Sequence, residues 1–85
     1  MTDDRLWKQL LYCKRHVTSP DLHSFVVSIK NGIAFVEIRP YDEVFIETKT
    51  QKDGKDEITE QWCGTLIAAA NRLELLGSDP DTISM

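Results

Sequence analysis

The fold is decided by residues 25–38, which read FVVSIKNGIAFVEI. Asn31-Gly32 near the centre is typical of a two-residue type I′ turn, because both central residues of that turn need a positive φ. Folding about this turn brings six apolar side chains to one side of a hairpin, in the pairs Phe25 with Ile38, Val27 with Val36, and Ile29 with Ala34. The segment therefore predicts a β-hairpin with one apolar face.

Two amphipathic helices and a third strand are predicted around this hairpin. The first helix runs from Asp4 to His16, where apolar residues recur at helical spacing behind an acidic N-cap. The second helix runs from Glu57 to Leu76 and ends at Gly77, a residue type that favours the position after a helix. The third strand runs from Glu43 to Thr50 and has a two-residue alternation, so one of its faces can join the core.

The predicted order of elements is α-β-β-β-α, and the fold class is α+β. We expect a three-stranded antiparallel meander with the two helices packed on one face, because this arrangement buries both helix stripes against the hairpin. A fourth strand over 55–59, after the turn signal Asp53-Gly54, is the alternative. A loop is favoured there because Asp56 and Glu57 suit a helix N-terminus. One domain is expected over residues 1–77, followed by a mobile polar tail at 78–85.

The composition is that of a small acidic folded domain. The 85 residues carry a net charge of −4, with +2 on the first sixteen residues and −6 on the remainder, and 41% of them are hydrophobic. No apolar run approaches the roughly 18 residues that span a bilayer, and the start of the chain lacks the features of a secretory signal. We therefore expect a cytoplasmic protein with no membrane contact and two reduced cysteines.

The sequence contains the ligand types of a zinc site without the usual spacing. Cys13 and His16 are three positions apart, with His23 and Cys63 elsewhere, and thiolate and imidazole are ligands that zinc prefers. No second close pair accompanies them, so buried cysteines in apolar helix stripes are the favoured interpretation. The sequence contains neither a phosphate-binding loop nor a nucleophile elbow. We therefore expect a non-enzymatic protein without a metal or a cofactor.

The second face of the hairpin is predicted to bind a protein partner. It carries large apolar side chains at Val26, Ile33 and Phe35, and Phe35 would stay uncovered by a core on the other face. Glu37 on the same arm and Glu47 on the third strand would steer the surface toward a basic partner.

A second candidate surface lies on the predicted C-terminal helix. Its outer face carries Gly64, Ala68 and Leu75, through which another backbone could approach closely. Together the two surfaces indicate an acidic protein–protein interaction module, an adaptor, inhibitor or regulator that occupies the surface of another protein or of a second copy. Mimicry of nucleic acid by the acidic surface is an alternative that rests on charge alone.

A basic arc on the predicted first helix supports a different alternative, nucleic-acid binding. The arc interleaves cations with an aromatic ring, at Arg5, Lys8, Tyr12, Arg15 and His16. The predicted element order is also similar to that of the double-stranded-RNA-binding domain, whose first helix contacts RNA. The lysine-rich start of that family's second helix would correspond to residues 55–60, KDEITE, which are acidic. Nucleic acid is therefore the less favoured partner.

Overall fold

Four antiparallel strands form one sheet in the computed structural model, which describes residues 8, 23–39, 41, 43–51, 54 and 56–83. The strands lie side by side in chain order, as β1 (His23–Ile29), β2 (Gly32–Ile38), β3 (Val44–Thr50) and β4 (Ile58–Gly64). One α-helix, α1 (Leu66–Leu75), and a 3-10 helix, Pro80–Thr82, follow them. The predicted α+β class and antiparallel meander are confirmed, whereas the number of strands is four rather than three.

The predicted first helix, Asp4–His16, lies outside the described residues except for one position. That position is Lys8, which is helical and exposed. Among the described elements, a single helix therefore packs on the sheet, where the sequence predicts two.

The β1–β2 hairpin has a register shifted by two residues from the predicted one. Lys30 and Asn31 occupy the turn, and only Asn31 of the two has a positive φ, of 66°, so the predicted type I′ turn is wrong. The observed partners of the three apolar β1 residues are Val36 for Phe25, Ala34 for Val27, and Gly32 for Ile29. A shift of two keeps every side chain on its original face, so the predicted apolar face survives the error.

Gly32 is required by the approach of β3 rather than by its own φ. A Cβ at this position would meet the carbonyl oxygen of Lys49 and would stand 2.9 Å from the Cα of Thr50. The ladder between β2 and β3 continues into the turn, because the N–H of Gln51 donates to the carbonyl of Asn31 at 2.9 Å. The absence of a side chain at Gly32 therefore lets the third strand pass close to the hairpin end.

The fourth strand replaces the first half of the predicted C-terminal helix. Residues 58–64 pair with β3 along their whole length, so the prediction of a helix from Glu57 is wrong. The alternative of a fourth strand is confirmed, but this strand covers 58–64 rather than 55–59. Ile58, Thr59 and Trp62 are residue types that favour strands. The strand ends at Gly64, where a Cβ would stand 2.5 Å from the Trp62 ring.

The helix α1 has clear signals at both ends. Thr65 is its N-cap, and the Thr65 side chain accepts a hydrogen bond from the N–H of Ala68 at 3.2 Å. After the C-cap, the N–H of Gly77 donates to the Glu74 carbonyl and that of Ser78 to the Leu73 carbonyl, both at 3.0 Å. These two bonds form a Schellman motif, with Gly77 at a φ of 75°. The predicted end of the helix at Gly77 is thus confirmed.

The core lies between α1 and one face of the sheet. The helix buries Leu66, Ala69, Ala70 and Leu73 there. The sheet contributes the predicted apolar face of the hairpin together with Val44 and Ile46 of β3, and Trp62, Leu76 and Ile83 pack at its margin. All strand residues predicted to form this face are buried, namely Phe25, Val27, Ile29, Ala34, Val36 and Ile38.

Residues 78–83, which the sequence assigns to a polar tail, lie against β1. Pro80 is buried and Ile83 packs on the core. The N–H of Asp79 donates to the Ser28 carbonyl at 3.0 Å, and the N–H of Ser28 donates to Thr82 Oγ1 at 2.9 Å. This segment therefore covers part of the outer edge of the sheet at β1.

Candidate partner-binding face of the sheet

The face of the sheet turned away from α1, the open face, is built from three rows of side chains. Because side chains alternate along each strand, the register places every second residue of the four strands here. The central row holds Val26, Phe35, Glu47 and Gln61. One flanking row holds Ser24, Glu37, Phe45 and Cys63, and the other holds Ser28, Ile33, Lys49 and Thr59.

A depression of about 510 Å³ lies in the open face over the central row. Phe35 forms part of its apolar floor and keeps 38% of its surface exposed, while Val26 and Phe45 are half-buried. Its polar margin includes Glu37, Glu47 and Gln61. The depression thus combines an aromatic floor with carboxylate groups, a combination suited to a side chain that is apolar along its stem and cationic at its tip.

Arg39 is fixed at one end of this depression. Its Nε and Nη2 donate to Glu37 Oε2 at 3.1 and 2.9 Å, and its Nη1 donates to Glu43 Oε1 at 3.2 Å. The guanidinium carbon lies 3.8 Å from the centroid of the Phe45 ring. Planar stacking and forked donation are geometries that arginine favours over lysine. Arg39 therefore forms ion pairs with both Glu37 and Glu43 while it covers one side of Phe45.

Glu47 differs from Glu37 because no described residue offers it a cationic partner. Gln61 Nε2 donates to Glu47 Oε2 at 3.2 Å, and Glu47 lies directly across the ladder from Phe35. A carboxylate can accept several hydrogen bonds, so Glu47 can accept more of them beside the exposed ring of Phe35. Lys49 Nζ is 5.5 Å from the centroid of the Phe35 ring, which shows that a cation fits near this ring.

The structure brings five of the predicted partner-binding residues onto the open face and separates the other three. The five are Val26, Ile33, Phe35, Glu37 and Glu47. Gly64 ends β4 next to Trp62, whereas Ala68 and Leu75 lie on α1, on the other side of the sheet. These three residues do not share a helix face, because residues 58–64 form a strand.

Most of the predicted basic arc and two of the four possible zinc ligands fall outside the described residues. Arg5, Tyr12, Cys13, Arg15 and His16 are among them. Cys63 is described, and it is exposed on the open face rather than buried in a helix as predicted. In the described ranges, no group of three or more histidine, cysteine or acidic side chains is arranged to hold a metal ion.

Three residues of the candidate site, and one exposed residue near it, were missed in the sequence. Phe45 follows from the alternation of β3 once Val44 is placed in the core, so a signal for it was present. Gln61 was hidden by the prediction of a helix, and the position of Arg39 over Phe45 depends on the loop between β2 and β3. Tyr41 in that loop is fully exposed at a φ of 66°, which the sequence did not indicate.

Comparison with known proteins does not indicate a function for this chain. No family model, curated protein or solved structure matches this chain. Within the described ranges, no helix combines the length and the apolar character that crossing a bilayer requires. The open face, with Phe35 and Glu47 at its centre, is the most developed candidate surface of the described residues.

Proposed function

We propose that this chain is a non-enzymatic protein–protein interaction module that binds its partner on the open face of the sheet. The observation that supports the proposal is the pairing of an exposed Phe35 with Glu47, which lacks a cationic partner among the described residues. The partner presents a lysine or arginine among apolar side chains. In this role the chain acts as an adaptor, inhibitor or regulator by occupying a surface of its partner.

The apolar part of the open face would supply the affinity. Fully burying a phenylalanine contributes roughly 1.5–3 kcal/mol, and large aromatic residues near the centre of an interface dominate its energy. Phe35 lies in the central row and is already partly buried, so a partner would need to cover only its exposed part. Val26 beside it and Phe45 in the next row extend the apolar floor.

The acidic part of the open face would supply orientation and rate. Complementary charge accelerates encounter and discriminates between partners more than it adds affinity. The net charge of −4 also favours a basic partner over nucleic acid. Glu47 would pair directly with the cation of the partner, whereas Glu37 is already paired with Arg39.

The experiment is a capture from native extract, followed by titration of the purified partner. The tagged chain is incubated with nuclease-treated and untreated extract, and a recovered protein is then titrated by calorimetry. Phe35→Glu and Glu47→Lys should each weaken its binding at least about tenfold, because they remove the anchor and reverse the charge. Ile67→Glu is the matched control, since Ile67 is 62% exposed on α1 and far from the open face.

Three outcomes would contradict the proposal. Equal binding by the wild type and both open-face variants would place the interface elsewhere. A partner lost on nuclease treatment would favour nucleic-acid binding through the basic arc that includes Lys8. Equal weakening by Ile67→Glu would show a general effect of surface charge. Circular dichroism of each variant checks that the sheet is intact. If Phe35→Glu unfolds the protein, Glu47→Lys alone tests the open face.

A further inference from the structure

The two outer edges of the sheet differ in what covers them. At β1, Asp79 and Thr82 bond to the carbonyl and the N–H of Ser28. At β4, no described residue bonds to the outer edge. Its seven residues pair with β3 without a bulge, and it contains neither proline nor lysine, which commonly protect exposed edges. Among the described residues, the edge of β4 is therefore left open as a template for a further strand.

The alternation of the ladder fixes which groups of β4 point outward. The N–H of Arg39 donates to the Glu43 carbonyl at 2.8 Å, and that of Gln51 donates to the Asn31 carbonyl, so odd-numbered residues of β3 bond to β2. Even-numbered residues of β3 then bond to the even-numbered residues of β4. The N–H and carbonyl groups that point outward belong to Thr59, Gln61 and Cys63.

We propose that β4 pairs antiparallel with β4 of a second copy of this chain, about a two-fold axis at Gln61, to give a continuous eight-stranded sheet. In this register Gln61 lies opposite Gln61 of the second copy, and Thr59 lies opposite Cys63. All the outward N–H and carbonyl groups of both strands then form hydrogen bonds. A shift of two residues to either side leaves some of these groups without a strand partner.

The side chains of β4 are compatible with this register. Ile58, which is 49% exposed, comes opposite Gly64 of the second copy, beside the Trp62 ring that lies over this glycine. Glu60 is the one charged residue of β4, lies 3.9 Å from Arg72 of its own chain and comes opposite Trp62. No two like charges are therefore directly opposite within the paired strands, which would be destabilising.

The test uses opposite charges at the proposed axis. Sedimentation equilibrium of the full chain should give twice the 9.7 kDa mass at high concentration. Gln61→Lys and Gln61→Glu each place two like charges opposite one another, so each should raise the dimer Kd about tenfold or more. An equimolar mixture of the two variants should restore dimerisation, with the mixed species identified by native mass spectrometry after isotope labelling of one variant.

Matched controls separate this edge from the rest of the molecule. Ser24→Lys and Ser24→Glu place the same charges on the open face at the opposite edge strand and should leave the dimer unchanged. Phe35→Glu should also leave it unchanged, because the pairing does not depend on partner binding at the open face. A monomeric wild type at millimolar concentration, or dimers unaffected by either Gln61 substitution, would overturn the proposal. A mixture that stays as weak as its components would overturn the two-fold axis at Gln61.

Discussion

The ring of Trp62 occupies the space in which any side chain at Gly64 would begin. A Cβ at position 64 would stand 2.5 Å from Cη2 and 2.7 Å from Cζ2 of that ring. The two residues are two apart on β4, so both point to the core face of the sheet. The absence of a side chain at Gly64 thus leaves room for the Trp62 ring at the margin of the core. This packing accounts for a glycine that would be unfavourable inside the predicted helix.

Substitution of Gly64 by alanine should destabilise the protein through this ring. We expect Gly64→Ala to cost about 1–3 kcal/mol in the free energy of unfolding, as overpacking does. The cost should largely disappear in a Trp62→Ala background, because residues in contact give non-additive effects. Urea denaturation of the two single variants and the double variant measures the coupling. Additive costs would show that the ring moves aside freely.

Substitution of Gly32 should be more harmful, because a backbone rather than a side chain blocks its Cβ. The carbonyl of Lys49 cannot move without breaking the β2–β3 ladder, so Gly32→Ala should cost about 3 kcal/mol or more. Gly54→Ala is the control. It has open space and a φ of 71°, so only about 1 kcal/mol of left-handed strain is expected there. A smaller loss at Gly32 than at Gly54 would contradict the close approach of β3.

The contact of residues 79–82 with β1 should be visible in hydrogen exchange. Thr82→Val removes the acceptor of the Ser28 N–H, so this amide should exchange faster, and the protein should lose about 1 kcal/mol. Thr59→Val is the control, because Thr59 is exposed on β4 at the other end of the sheet. Unchanged protection of Ser28 in Thr82→Val would show that this edge does not depend on the threonine.

The stacking of Arg39 on Phe45 should contribute a small but measurable coupling. Arg39→Lys keeps the charge but loses the planar fork, and Phe45→Leu removes the ring. A double-mutant cycle between them should give about 0.5–1 kcal/mol, because the guanidinium is still 39% exposed and its ion pairs are screened by solvent. A coupling indistinguishable from zero would mean that the stacked geometry adds no stability.

The parts of the fold that could be predicted are those for which local pattern and tertiary structure agree. The apolar face of the hairpin was predicted because its alternation holds for any register that differs by two residues. The C-terminal end of α1 was predicted because Gly77 adopts the conformation that favours glycine.

The fourth strand was mispredicted because the apolar residues of 58–66 have a helical period. Ile58, Trp62 and Leu66 recur every four residues as in a helix, whereas the charged Glu60 interrupts the two-residue alternation of a strand between Ile58 and Trp62. Pairing with β3 overrides the helical period, and this contact is not visible in the local sequence. The same error hid Gln61 and, with it, the partner of Glu47 on the open face.

The two-residue shift of the hairpin means that its alignment is specified from outside it. Burial is the same in both alignments, so the hydrophobic pattern cannot choose between them. Asn31-Gly32 on its own prefers to occupy the turn, whereas in the protein Lys30-Asn31 occupies it and Gly32 pairs with Ile29 on one side and Thr50 on the other. A peptide of residues 23–38 should therefore show nuclear Overhauser contacts between Phe25 and Ile38, and this result would identify pairing with β3 as the source of the alignment found in the protein.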